Sequence, residues 1–61
     1  MIHARVMRAL ESAPSADWQD DRLIQSLNRE FRIFGIKLSR KDLKNAESAD
    51  EVSQVIARKI D

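Results

Sequence analysis

The sequence predicts an all-α domain, a small bundle of four helices of which the third is short. Three observations carry that expectation. Apolar residues recur at helical steps of three and four through most of the chain. The sole proline, Pro14, and the sole glycine, Gly35, fall between those periodic runs rather than inside them. Residues that cap helices, Ser15, Asp17, Ser39 and Ser48, stand where the next run begins.

The first helix spans Ile2–Ser12. Ile2, Val6, Met7 and Leu10 recur at helical spacing with Ala9 and Ala13 beside them, while Arg5, Arg8 and Glu11 fall toward the other side. Pro14 ends it, because proline lacks the N–H and pushes the residue before it out of the helical region. A tight connection follows, and Ser15 or Asp17 can cap the second helix. That helix is expected over residues 17–33. Asp17, Asp20 and Asp21 crowd its first turn, where the helix dipole favours negative charge. Leu23, Leu27, Phe31 and Phe34 form its apolar stripe with Ile24 adjoining, and Trp18 is expected against the first helix. Arg22, Gln25, Asn28, Arg29 and Arg32 occupy the opposite side.

Gly35 follows the last apolar residue and suits a left-handed C-terminal cap. Ile36, Lys37 and Leu38 then alternate, an extended link whose Ile36 and Leu38 plug the core. Ser39, with Asp42 three residues on, starts the short third helix, whose inward positions are Leu43 and Ala46. Ser48 opens the fourth with a capping box to Glu51. Val52, Val55, Ile56 and Ile60 supply its stripe, and Arg58 and Lys59 sit in its last turn, as the dipole prefers.

Size and composition bound the function. The 61 residues make one helical domain, residues 1–61, and a chain this short buries only ~60% of the surface it exposes when unfolded. There is no cysteine, so disulfides and thiolate metal sites are excluded. Three aspartates on one helical turn do not make a calcium loop, so no metal site is expected. A formal charge of +1 gives no strong global field. No run nears the ~20 apolar residues of a membrane span, and Arg5 and Arg8 interrupt the N-terminal segment where a signal peptide would be continuous. A soluble cytoplasmic protein without a membrane partner is expected.

Catalytic chemistry finds no footing. His3 is the only histidine and stands near the terminus, where a surface position is expected. No serine has a histidine and acid at suggestive spacing, and a single glycine cannot build a phosphate loop. Glu30, Glu47, Asp50 and Glu51 are accounted for by helix faces and caps. The sequence therefore predicts a protein that is not an enzyme.

Part of the chain resembles a known family. The turn Phe34-Gly35-Ile36-Lys37-Leu38-Ser39, Asp42-Leu43 after it, and residues 46–60 at the end resemble the second half of acyl and peptidyl carrier proteins. The likeness covers roughly residues 23–60 and implies their four-helix fold. It also implies phosphopantetheine on a serine at the N-terminus of the second helix. The family's spacing, counted back from Phe34, reaches Asp20; Ser15 is the nearest serine and hence the candidate cofactor attachment residue. Carriers usually present an acidic second helix to basic enzymes, whereas this helix carries Arg22, Arg29 and Arg32. A carrier-like domain without the prosthetic group is the expectation.

The functional reading is a non-catalytic interaction module that docks on a protein through the basic face of the second helix. Its candidate contact residues are Arg22, Gln25, Arg29, Arg32, Lys37, Arg40, Lys41 and Lys44. A second reading is nucleic-acid binding. Residues 29–44 hold six basic residues against two acidic ones, and residues 39–59 distantly resemble a helix-turn-helix, whose second helix enters the major groove. A third is a true carrier modified at Ser15. Self-association through the first or fourth helix, with Ile2 or Ile60 exposed in a monomer, cuts across all three.

Overall fold

A computed structural model describes residues 1–60. The three α-helices among them are α1 (Ile2–Ser12), α2 (Asp21–Glu30) and α3 (Ala49–Ile60), with a 3₁₀ turn at Arg32–Phe34 and no strand. The domain is thus all-helical, but it does not have four helices. α1 packs against both α2 and α3 and is their common neighbour. The core comprises Val6 and Ala9 of α1, Leu23, Ile24 and Leu27 of α2, and Val52 and Ile56 of α3. Trp18, Phe31, Leu38, Leu43 and Ala46 complete it from the connecting segments.

α1 and α2 run antiparallel. Ser26 donates its hydroxyl to the Ala9 carbonyl at 2.9 Å, and Arg5 donates to the Glu30 carbonyl at 3.3 Å. The first turn of α1 meets that of α3 through His3 and Asp50, 3.4 Å apart. Met7, expected inward, is 39% exposed. Its angular position carries it past the seam with α2 and α3, which Val6 and Ala9 already fill.

α2 starts four residues later than its acidic cluster suggested. Neither Ser15 nor Asp17 caps it; Asp20 does, its carboxylate accepting the Arg22 backbone N–H at 2.8 Å. Ser15 and Asp17 instead close consecutive turns in the link. The Ser15 hydroxyl accepts the Asp17 N–H at 3.0 Å and donates to the Asp17 carbonyl, and the Asp17 carboxylate accepts the Gln19 N–H at 2.9 Å. Such local bonds offer the backbone an alternative to helix, which is why the link stays irregular.

α2 also ends early. After Glu30 the bonds tighten to three-residue steps, Phe34 N–H to Phe31 and Gly35 N–H to Arg32, and Gly35 caps the turn at φ 72° as expected. In 3₁₀ winding, residues three apart eclipse. Phe34 therefore stacks on Phe31, ring centroids 5.9 Å apart, instead of extending the stripe down the side of the core. Phe31 is fully buried, Phe34 is 42% exposed, and Ile33 faces outward at 74%.

The third helix does not form. Its capping pair does: the Asp42 carboxylate accepts the Ser39 N–H at 2.9 Å, and the Ser39 hydroxyl lies 3.0 Å away. Propagation fails, and residues 39–46 make successive turns closed by three-residue bonds. A helix this short does not recover its nucleation cost. The tighter winding also brings Leu43 and Ala46, three apart, onto one side, and both are buried. α3 begins as predicted, with the Glu51 N–H donating to the Ser48 hydroxyl at 3.2 Å. Its box closes one residue outward, because the Glu51 carboxylate accepts the Glu47 N–H at 3.0 Å rather than that of Ser48. Ile2 is half-buried against the core, and Ile60 is 38% exposed.

Candidate partner-docking face

The two sides of α2 differ in chemistry. Leu23, Ile24, Ser26 and Leu27 are buried. Arg22, Gln25 and Arg29 step by three and four along the other side, so they stand in one row, and all are exposed. The row walls a cleft of about 370 Å³ whose opposite wall is the end of α1 and the link, Ser12, Ala13 and Pro14. Asp20 and the edge of Ser26 complete it. Ser26 is engaged with the Ala9 carbonyl and needs no further partner.

The carboxylates near this row are occupied elsewhere. Asp20 caps α2. Asp21 projects to the other side and pairs with the Arg40 guanidinium. Glu30 lies 3.7 Å from Arg8. Among the described residues, Arg22 and Arg29 have no carboxylate partner at ion-pair distance. The cleft wall therefore presents two guanidiniums without an ion-pair partner, with the Asp20 carboxylate at the cleft's edge, and each guanidinium is a planar fork matched to a carboxylate.

The remaining candidates sit apart from this row. Lys41 and Lys44 line a second cleft, about 460 Å³, with Gln54 and Arg58 of α3, and Asp42 and Glu51 give it mixed charge. Arg40 joins Lys41, Lys44 and Gln19 around a third hollow. Arg32 and Lys37 are exposed and line none of these three. The basic run of residues 29–44 is thus distributed over separate surfaces. With residues 39–46 in turns, the first helix of a helix-turn-helix is not formed. Ser15 is half-buried, six positions before α2, its hydroxyl held in the turn with Asp17. His3 is exposed beside Asp50.

Four structurally engaged polar residues escaped the sequence reading. Asn28 seemed part of the exposed basic side. Its amide instead brackets Leu38, accepting the Leu38 N–H at 2.7 Å and donating to the Leu38 carbonyl at 3.0 Å. Gln19 donates to the carbonyls of Leu43 and, at 3.4 Å, Ala46. Arg5 reaches across to Glu30 and lies 5.3 Å from the Phe34 ring centre, a cation–π contact. Of the four, only Ser26 had a readable signal, a polar residue three after Leu23 within the apolar stripe. Among the described residues no cluster of His, Asp or Glu is arranged to hold a metal, and no helix is long and apolar enough to cross a membrane.

Comparison with protein-family models, with curated proteins and with solved structures returns no match.

Proposed function

We propose that this chain is a non-catalytic helical interaction module that docks on an acidic protein segment through the Arg22–Gln25–Arg29 row. One observation carries the reading: Arg22 and Arg29 share a cleft wall while the neighbouring carboxylates are engaged with other groups. Guanidiniums left without a carboxylate gain most from one supplied by a partner, and the fork geometry makes that contact directional. Gln25 between them adds an amide donor and acceptor for a partner backbone.

The test is an NMR titration of the protein with a glutamate-rich peptide and, separately, with a short DNA duplex. The peptide is expected to shift the resonances of Arg22, Gln25 and Arg29. The double reversal Arg22→Glu with Arg29→Glu is expected to weaken it roughly tenfold or more, and Lys41→Glu with Lys44→Glu to change it little. Tighter, steeply salt-dependent binding of the duplex would instead favour the nucleic-acid reading.

A further inference from the structure

Just past Arg29, α2 gives way to the 3₁₀ turn Arg32–Phe34, which carries Ile33, the most exposed large apolar side chain between Ile2 and Ile60. Ile33 is 74% exposed, yet the turn that presents it is firmly built. Phe31 anchors it in the core, Gly35 caps it, and Asn28 brackets Leu38 just beyond. Arg5 binds the Glu30 carbonyl and lies against the Phe34 ring, and Arg8 pairs with Glu30. These contacts together fix a turn whose central isoleucine touches little of its own protein.

We infer that Ile33 is the apolar anchor of the docking row, and that the partner is an acidic segment ending in a large apolar residue that packs on Ile33 and the exposed part of Phe34. This rests on the docking reading above and specifies its partner. Charge selects the occupant. Arg29 and Arg32 flank Ile33 and, among the described residues, have no carboxylate partner at ion-pair distance. A second copy of the chain meeting this face symmetrically would set guanidiniums against guanidiniums. A head-to-tail copy would offer exposed carboxylates such as Glu11, Asp17 and Glu47, but their apolar neighbours Leu10, Trp18 and Ala46 are buried or half-buried and are not free to pack on Ile33. An anionic membrane is disfavoured because Arg5 and Arg8 are held by Glu30. The three guanidiniums without an ion-pair partner here, Arg22, Arg29 and Arg32, fall short of the roughly four to eight basic residues that membrane-binding clusters carry. An acidic segment with one apolar end matches both the row's charge and its terminus, the arrangement of a central apolar contact rimmed by polar ones.

Two peptides of equal length and charge test this by calorimetry, one of glutamate and glycine only, the other with a C-terminal or N-terminal leucine–tryptophan pair. The pair-bearing peptide is expected to bind about tenfold more tightly, and Ile33→Ser, a change at an exposed position, to remove that difference while leaving the first peptide's affinity unchanged. Equal affinity of both peptides for the wild-type chain overturns the anchor and leaves the docking row standing. So does an advantage that survives Ile33→Ser. Failure of both peptides to bind overturns the row and the anchor together. Tighter binding to phosphatidylserine vesicles, lost in Ile33→Ser, would reassign the anchor to a lipid surface.

Discussion

The α1–α2 pair and the connection at residues 35–48 are held by different means. In the pair, Val6, Ala9, Leu23 and Leu27 are fully buried at helical spacing, and each helix supplies its own backbone bonds. In the connection the backbone lacks both ladder and helix. Leu38, Leu43 and Ala46 are buried there, but side chains from far along the chain hold their backbone groups: Asn28 on Leu38, Gln19 on Leu43 and Ala46. Apolar periodicity organises the first region, and a few polar side chains fix the second. Buried backbone polar groups need partners, so a connection without secondary structure must borrow them.

Leu27 is the position where the α1–α2 pair is most vulnerable. Truncating a fully buried leucine costs about 2–5 kcal/mol, and a core of this size supplies roughly 3–5 kcal/mol in all. Leu27→Ala is therefore expected to leave the chain largely unfolded at room temperature, read by loss of helical circular dichroism without denaturant. A cooperative urea transition close to that of the wild type would mean that the pair depends less on burial than argued above.

Asn28→Ala probes the other region. It leaves a buried N–H and carbonyl of Leu38 without partners, at a cost of about 1–3 kcal/mol. The signature is local: amide exchange at Leu38 should accelerate well beyond that of Val6 or Leu27. Uniform acceleration across the chain would mean that Asn28 contributes only to global stability. Asn28→Asp sharpens the point. It keeps the acceptor for the Leu38 N–H and turns a carboxylate toward the Leu38 carbonyl, so it should not rescue the loss.

The same contrast explains what could be read from the sequence. The three α-helices, the glycine cap and the Ser48–Glu51 start were legible, since each rests on residues within a turn or two of one another. The third helix was overestimated because Ser39 and Asp42 do form a capping pair, and nothing local shows that the bonds after it will stay at three-residue steps. Asn28, Gln19 and Arg5 act over 10, 24 and 25 positions respectively. A polar residue on a helix edge looks the same whether it faces water or brackets a distant backbone. On the basic side of α2, the exposure of Arg22, Gln25 and Arg29 was legible from spacing, but the engagement of Asn28 with Leu38 and the charge environment of the arginines were not. That Asp21 and Glu30 are occupied depends on Arg40 and Arg8, which only the fold brings near.

Gly35→Ala separates backbone preference from packing within the connection. A methyl group there would meet nothing within 4 Å, so only the positive φ of 72° opposes it. A left-handed conformation costs an alanine roughly 1–2 kcal/mol. The melting temperature should fall by several degrees with cooperativity intact, while Ile33 and Phe34 keep their environment by NMR. A larger loss, with shifts spreading to Phe31, would mean that the turn is coupled to the core more tightly than the open space around Gly35 implies.

The smallest effect is expected at Asp42, where the connection is tied to the end of α3. Its carboxylate accepts the backbone N–H of Ser39 at 2.9 Å, and that bond lowers its pKa from the ordinary 3.8; partial burial works in the opposite direction, and the Ser39 hydroxyl and Lys59, 3.3 Å away, add to the lowering. The sign follows from linkage. A carboxyl held below its unfolded value favours the fold wherever it is ionised, so its contribution is complete at neutral pH and fades as pH falls from about 3.8 through the folded value. Asp42→Asn should therefore lower the melting temperature slightly near neutral pH, and the gap to the wild type should close in acid. Much of the contribution comes from a backbone bond rather than an exposed ion pair, so it should resist added salt better than the Arg8–Glu30 pair does. A gap that closes in salt at neutral pH would assign the effect to Lys59 instead, leaving the Ser39 turn to be held by its backbone bonds alone.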